Sequence, residues 1–584
     1  MPIKSPYPDI PIPQCNILTY LFGDDGSAAS PDPLWFDSKA PSRSLSPAQM
    51  LTWARRLGFG LGRMGLGRGD VVMICSPNHV FVPAAYLGIV GAGCVFSGAN
   101  PAYTVSELAH QLTDTTAKLV LAHPKTLPLI LPAAEKAGLP AHRILQFSDE
   151  ANPPHPSGIQ DWRSVLGTPA EGNAWRWPRL VENEAGKTIA TINYSSGTTG
   201  LPKGVCVSHA NLAANVEQTI FMRYARRPHP SSRAPPNPER WIGFLPLYHA
   251  YGQLWTILMA AKLAVPVYVV AEFRYEEFLA AIEKYRVTSL QVAPPVLVML
   301  AKRPETARYD LGSVRDVLCG AAPLAGELEA ECARRFGVKV GQGWGMTEVT
   351  CGAIHVPNYL LEGDTRDGNG DGSSKRAGSV GQLDPNCECK LVDDDGAEVR
   401  TGEPGELVVR GPNVCMGYWR NERATREAID AEGWLRTGDV AVCNDEGFFW
   451  IVDRKKELIK VNALQVAPAE LEAALLENQH IADAAVVGIT LDGQEWPRAY
   501  VVLQEASRGK VSPRDVRDWL AARVARHKRL AGGVAFVGEV PKLASGKIMR
   551  KTMREWAKRD AASVAEAVAA EGRGGGGGKT RAKL

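Results

Sequence analysis

The sequence has little that would mark a secreted, membrane-spanning or nucleic-acid-binding protein. Its eleven cysteines are scattered, with no Cys-x-x-Cys pair, and Cys387 and Cys389 stand too close for an ordinary zinc pair. No disulfide framework is expected; cysteines serving as small core residues in a reduced intracellular compartment are. Long apolar runs are missing too. The most apolar stretch, 254–271, is broken by Lys262 and Pro266, so it reads as a buried helix then a strand, and no stable membrane span is expected. No signal peptide opens the chain, because residues 1–14 are polar and Pro-rich. Neither sign of charge is in excess: 66 Lys and Arg against 63 Asp and Glu leave a net charge of +3. No basic stripe interleaves with aromatics, which argues against a nucleic-acid partner.

What is present is a chain of 584 residues, 45% hydrophobic and 22% charged, the balance of a soluble protein with several domains and ample core. One stretch organises it: Tyr194-Ser195-Ser196-Gly197-Thr198-Thr199-Gly200-Leu201-Pro202-Lys203-Gly204. The alternation over 189–193 predicts a strand before it, and 205–207 a strand after it. Between them the residues are small, hydroxylated and Gly-rich. Glycine lets backbone N–H groups approach an anion closely, hydroxyls add donors, and Lys203 adds a point charge. This is a phosphate-gripping loop. It is not a Walker loop, since Gly197 and Gly200 are three apart and Lys203 is followed by Gly204 rather than Ser or Thr.

Elsewhere strands and helices alternate, the signature of a parallel α/β sheet. Strands are expected over 70–75, 94–97, 119–122, 144–147, 241–244, 265–270, 289–292, 314–319 and 339–341. Helices are expected over 78–90, 127–137, 275–284 and 295–301, and another to about Leu112 behind the capping box Thr104-x-x-Glu107. Residues 149–184 and 223–240 read as surface connections. Residues 363–374 are rich in Gly, Asp and Ser, but lack the Glu and flanking helices of a calcium loop. Asp393-Asp394-Asp395-Gly396 signals a hairpin.

The phosphate loop resembles that of the adenylate-forming superfamily of acyl-CoA synthetases, adenylation domains and beetle luciferases, and further segments match that family in order over roughly 7–556. They are Leu245-Pro246-Leu247-Tyr248-His249-Ala250-Tyr251-Gly252, Gly320-Ala321-Ala322-Pro323-Leu324, Gln342-Gly343-Trp344-Gly345-Met346-Thr347-Glu348, Trp434-Leu435-Arg436-Thr437-Gly438-Asp439, Asp453-Arg454-Lys455-Lys456 and Pro541-Lys542-Leu543-Ala544-Ser545-Gly546-Lys547. The 4-coumarate–CoA ligases look most similar, through Pro8-Asp9-Ile10-Pro11-Ile12-Pro13 and Gln465-Val466-Ala467-Pro468.

The resemblance implies a fold and a chemistry. The fold is α/β: a large region of packed α/β subdomains with a small barrel-like β part (1–452), a hinge (453–456) and a small mobile α+β domain (457–556). The chemistry is ATP-dependent: a carboxylic acid, aromatic or medium-chain, becomes acyl-AMP and then a CoA thioester. The implied catalytic residues are Lys547, His249, Lys203, Lys460 and Gln465. ATP would be held by Ser195, Ser196, Gly197, Thr198, Thr199, Gly200, Gly320, Ala321, Ala322, Gln342, Trp344, Gly345, Met346, Thr347, Asp439 and Arg454. Mg²⁺ would be held by Thr199 and Glu348, the hard oxygen ligands it prefers. Tyr251, Trp255, Gly345 and Val349 would line the acid pocket, with Tyr251 and Trp255 neighbours on one helical face. Lys456 would be the pivot.

Two departures stand out. Where the family has Tyr-Lys-Gly-Phe-Gln, with its Gly lining the pantetheine tunnel, this chain has Val461-Asn462-Ala463-Leu464-Gln465. Trp255 replaces a small residue of the acid pocket. The alternative reading is a stand-alone adenylation enzyme that loads a carrier-protein thiol. Residues 557–584 read as a flexible tail, through the poly-Gly run 574–578 to Ala582-Lys583-Leu584. That tripeptide resembles a peroxisomal address read by an import receptor; the location would otherwise be cytosolic.

Overall fold

The computed structural model describes residues 2–153, 155–181, 183–195, 202–224, 238–322, 324, 326–358, 376–461, 464–491, 494–543 and 546–573. Two large sheets carry most of the α/β region. The eight-stranded sheet runs Gly417–Tyr418, Lys203–Ser208, Ile189–Ser195, Val95–Ala99, Val71–Cys75, Leu119–Ala122, Ile144–Gln146 and Gln160–Asp161. From Ile189–Ser195 onward its strands are parallel; the first two strands pair antiparallel. Val71–Cys75 is buried at every position, as expected of a parallel strand covered on both faces. The nine-stranded sheet has a parallel centre that includes Asp316–Cys319 and Lys339–Trp344, then turns antiparallel through Ile354–His355 and Gln382–Leu383. One apolar cluster, from Ile17 and Trp35 to Leu258 and Val267, joins the two sheets.

Strands flank the phosphate loop as the sequence predicts, and they pair antiparallel, with Lys203 opposite Ser195; residues 196–201 lie outside the described residues. The Thr104 capping box is formed, and its helix runs Val105–Thr115. No helix among the described residues is long and apolar enough to cross a membrane.

Several expectations need correction. The barrel-like part is an open five-stranded antiparallel sheet, Ile3–Lys4, Glu388–Val392, Gly405–Arg410, Leu435–Cys443 and Phe449–Arg454; its two outer strands do not pair, so no barrel closes. The segment 149–184 is not merely a surface connection, because Trp162 is fully buried and Trp177 nearly so, and apolar area of that size draws a segment into the core. Arg223 is not exposed: its guanidinium is buried against Glu239 at 2.7 Å and Asp316 at 3.0 Å, while 225–237 lie outside the described residues. The helix from Ala250 runs on, but with π winding over Gln253–Met259, so Tyr251 and Trp255 are not the i, i+4 pair of a regular α-helix. Residues 363–374 also lie outside the described residues.

The last strand of the open sheet runs through Asp453 and Arg454, so the residues expected to form a hinge begin inside it. Beyond it the hairpin Ile459–Val461/Leu464–Val466 and the sheet Ile481–Leu491, Gln494–Leu503, Val534–Phe536 build a small unit. Helix Pro468–Leu476 starts with Pro at its first position, where the missing N–H is harmless, and the Asp453 carboxylate accepts from the Ala469 N–H at 3.0 Å. The tail expected from residue 557 is helical at its start: helix Arg550–Arg573 buries Met553 and Ala557, and Asp560 pairs with the buried Arg498 at 2.6 Å and accepts from the Tyr500 hydroxyl at 2.9 Å. Asp560→Ala strands the Arg498 guanidinium without its carboxylate and should cost about 1–3 kcal/mol. Thermal unfolding should show a lowered midpoint for Asp560→Ala and a smaller loss for Asp560→Asn; unchanged midpoints would mean the helix is not anchored there.

Candidate active site

The carboxyl ends of parallel strands, where neighbouring loops leave a crevice, are where open α/β sheets bind ligands. Here the turn after Asp316–Cys319 and the end of Lys339–Trp344 open onto a cavity of about 500 Å³, within the range that holds small substrates. Around it stand Tyr194, Ser195, Lys203, Tyr248, His249, Tyr251, Trp255, Gly320, Ala321, Trp344, Gly345, Met346, Thr347, Glu348, Tyr418, Arg454, Lys456 and Lys547. Residues from seven of the motifs, from the phosphate loop to the Lys547 segment, thus come within reach of one cavity, across more than 350 positions of sequence, from Tyr194 to Lys547.

Lys547 enters from the small unit, on the loop closed by the Leu543 N–H to Lys547 carbonyl bond at 2.8 Å. Burial, then the nearby Arg454, lowers its pKa to about 8 against the opposing pull of Glu457, Asp439 and Glu348. His249 caps the short helix Ala250–Gly252: its Nδ1 accepts from the Tyr251 N–H at 3.2 Å. The ring proton therefore sits on Nε2. Burial, with the Lys547 charge adding to it, lowers the pKa of His249 to about 4, so it stays neutral near neutrality.

Asp439 is held by two donors: the Trp344 indole N–H at 2.9 Å and the Arg454 Nε at 3.2 Å, the latter from its cross-strand neighbour. An acceptor-only carboxylate fixed beside an indole edge suits a sugar diol next to a base. Gly345 is required where it stands, because a Cβ there would fall 1.7 Å from the Cys351 carbonyl oxygen. Ala321 holds a positive φ of 74° at the cavity, a conformation that non-Gly residues rarely adopt.

A second chain of contacts links the phosphate hairpin to the carboxylate expected to hold metal. The Lys203 ammonium lies 4.7 Å from the Tyr418 ring centroid, and the Tyr418 hydroxyl donates to a Glu348 oxygen at 2.9 Å. Among the described residues no group of three or more His, Cys, Asp or Glu could hold a metal by itself. Glu348 alone fits Mg²⁺ of the kind that arrives with phosphates and takes one or two protein carboxylates; Thr199, its expected partner, is outside the described residues, as are Ser196, Gly197, Thr198 and Gly200. The sequence did not single out Tyr418, whose role depends on pairing of its short strand with Lys203–Ser208.

Four expected residues are elsewhere. Gln342 is buried, and its amide clamps the next turn, donating to the Leu324 carbonyl and Glu329 and accepting from the Leu324 N–H. Val349 is fully buried in the core behind the cavity rather than lining it. Lys460, whose backbone pairs with that of Gln465 across the small unit's hairpin, does not line the cavity. Ala322 does not line the cavity either. Trp255 does line it, with its ring edge-on to Trp241 at 5.2 Å and 5.7 Å from the buried Arg223 guanidinium, so Trp255 is held rigidly.

Residues 28–419 match the family of AMP-binding enzymes, and 470–547 match its C-terminal domain. The chain is 36% identical over 562 residues to a phenylacetyl-CoA ligase of Aspergillus niger, covering 94% of this chain and 98% of that one. It is 34% identical over 555 residues to a peroxisomal OPC-8:0-CoA ligase of Arabidopsis thaliana, covering 94% of each. The crystal structure of an anthranilate CoA ligase in complex with anthranoyl-AMP shares the fold, with a TM-score of 0.80, 23% identity, and 95% and 99% of the two chains covered.

If the Lys547 ammonium meets the substrates, the rate of acid activation should fall as pH rises through about 8, because the amine is protonated below that pKa and neutral above it. His249 adds no limb between pH 5 and 9. The check is kcat/KM against pH: Lys547→Arg, charged at every pH in that range, should be slower but lack the alkaline limb. An identical limb in that variant would assign it to another group.

Proposed function

The chain belongs to the AMP-binding enzymes, an adenylate-forming family, and from that premise we propose that it is an ATP-dependent acid–CoA ligase. The observation that carries the proposal is the meeting of Lys547 with Glu348 and Arg454 at one cavity, with Asp439 held against the lining residues Trp344 and Arg454. Acid activation brings two anions together, a carboxylate and the α-phosphate of ATP, so charge repulsion is its main barrier. Lys547 bridges the two. Lys203 and the hairpin donors hold the departing pyrophosphate, and Asp439 with Trp344 seats the ribose and adenine. Mg²⁺, when bound with ATP at Glu348, neutralises phosphate charge and orients the leaving group. No side-chain nucleophile is needed; the carboxylate oxygen attacks the α-phosphorus and pyrophosphate leaves.

In the second step the CoA sulfur attacks the acyl carbon and AMP leaves. CoA is favoured over a carrier-protein thiol because similar chains over nearly their whole length carry CoA-ligase names. Ala463 of the expected pantetheine tunnel is outside the described residues. Lys460, absent from the lining of the cavity that holds Lys547, fits a reaction in which the small unit turns about the 453–456 segment and presents its other face, with Lys460 and Gln465, to the thioester step. Tyr251 and the rigid Trp255 shorten the acid site, which fits aromatic or medium-chain acids.

The experiment is single-turnover kinetics of each half-reaction. Lys547→Ala should slow pyrophosphate release by on the order of 100- to 1,000-fold, yet leave the reaction of ready-made acyl-AMP with CoA nearly unchanged. Equal loss in both steps would reject the division of labour; thioester formed only on a carrier protein would replace CoA as acceptor.

Ala582-Lys583-Leu584, outside the described residues, is proposed as a peroxisomal address when displayed at a free C-terminus; the peroxisomal relative supports it. A fluorescent protein carrying the last dozen residues should become punctate with a peroxisomal marker, and removal of Leu584 should return it to a diffuse pattern. Diffuse fluorescence from the start would reject the address.

A further inference from the structure

One wall of the cavity plays no part in the reaction above. His355 ends the short strand Ile354–His355, directly across from Gly343, and its ring faces the cavity. Its Nδ1 lies 2.8 and 3.0 Å from the two oxygens of Asp384, which is wholly buried. A carboxylate only accepts, so Nδ1 carries a proton, and when the ring is neutral its Nε2 presents a lone pair. Among the described residues Nε2 has no hydrogen-bond partner.

The ring fills space that two glycines leave open. A Cβ on Gly352 would lie 2.5 Å from its Cε1 and 2.8 Å from Nε2; one on Gly343 would lie 2.8 Å from Cδ2 and 3.4 Å from Nε2. Both glycines line the same cavity as His355, so no side chain from either position covers the ring. The geometry is that of an acceptor oriented from behind by a buried acid and kept clear in front. We propose that His355 is a specificity-determining residue that favours acids bearing a hydrogen-bond donor, a hydroxyl or an amino group, on the acyl part. This rests on reading the cavity as the acid-activating site. A site built to pair with a substrate hydroxyl discriminates against the analogue lacking it more strongly than pocket size alone can, because the site's own polar group is then left unpaired.

The test uses acids matched in size that differ by a hydroxyl against a methyl: ring-substituted phenylacetates and cinnamates at each ring position, and ω-substituted medium-chain acids. Pyrophosphate release gives kcat/KM for each. The full-length protein should prefer the hydroxylated member of at least one pair by about tenfold or more. His355→Leu should erase that preference while keeping the rate on the methylated acid, and His355→Gln, which retains an acceptor, should restore part of it. Asp384→Asn, isosteric with Asp, should weaken the preference without abolishing turnover. Equal kcat/KM within every pair, or a preference that survives in His355→Leu, overturns the proposal while leaving the ligase reading intact. Loss of turnover on both members of the pair in both His355 variants overturns it too, since His355 is then structural. Absence of pyrophosphate release from every acid in the unaltered protein overturns the ligase reading and this inference together.

Discussion

A single buried cation is the constraint on which the site depends. Moving an ammonium out of water is costly, and the cost shows in the depressed pKa of Lys547, still protonated near neutrality because Glu457, Asp439 and Glu348 pull against burial and Arg454. Those carboxylates come from distant parts of the chain. Glu348 follows the parallel strand Lys339–Trp344, Asp439 lies in the open antiparallel sheet, and Glu457 follows its last strand. The sheets are therefore not just a frame; their relative placement sets how much positive charge the cavity tolerates before any substrate arrives. An incoming carboxylate and triphosphate relieve that tension, since each adds the negative charge the lysine lacks.

Glu457 belongs to a second network with consequences for the same lysine. Arg550 donates to Glu457 at 2.8 Å, to Glu472 at 2.9 Å and to the Val486 carbonyl, all within the small unit. Arg550 is thus paired inside the unit, and those pairs would survive if the unit changed neighbours. One contact to the large region is made by Lys302, whose ammonium reaches the Leu476 and Ile481 carbonyls near the end of helix Pro468–Leu476.

Much of this was legible in the sequence where a single element carries its own signal. Leu119–Ala122 and Ser289–Val292 fall where apolar strand patterns put them, and the Thr104 and Pro468 helix starts follow from capping and proline chemistry. Local pattern fails where the deciding partner is far away. Arg223 looks like part of a polar excursion until Asp316 and Glu239 meet it; Gln342 looks like a ligand until Leu324 claims its amide; nothing near His355 announces Asp384, twenty-nine positions on. The π winding over Gln253–Met259 is invisible to a 3.6-residue reading, since the same apolar residues suit either helix. Helix Arg550–Arg573 is obscured because its Ala- and Glu-rich half resembles solvated tail until Asp560 finds Arg498.

If the small unit turns between the two steps as proposed, that last helix turns a small rotation into a large displacement. Met553, Ala557 and Asp560 tie its first turns to the small unit, so it moves as part of that body. From Asp560 to Arg573 it extends about 20 Å further, at 1.5 Å per residue. It would then act as a pointer on a turntable, and a group attached at its end would sweep an arc as the unit turned. A label placed there would read out the catalytic cycle from outside the active site, and a bulky fusion placed there would put drag on it.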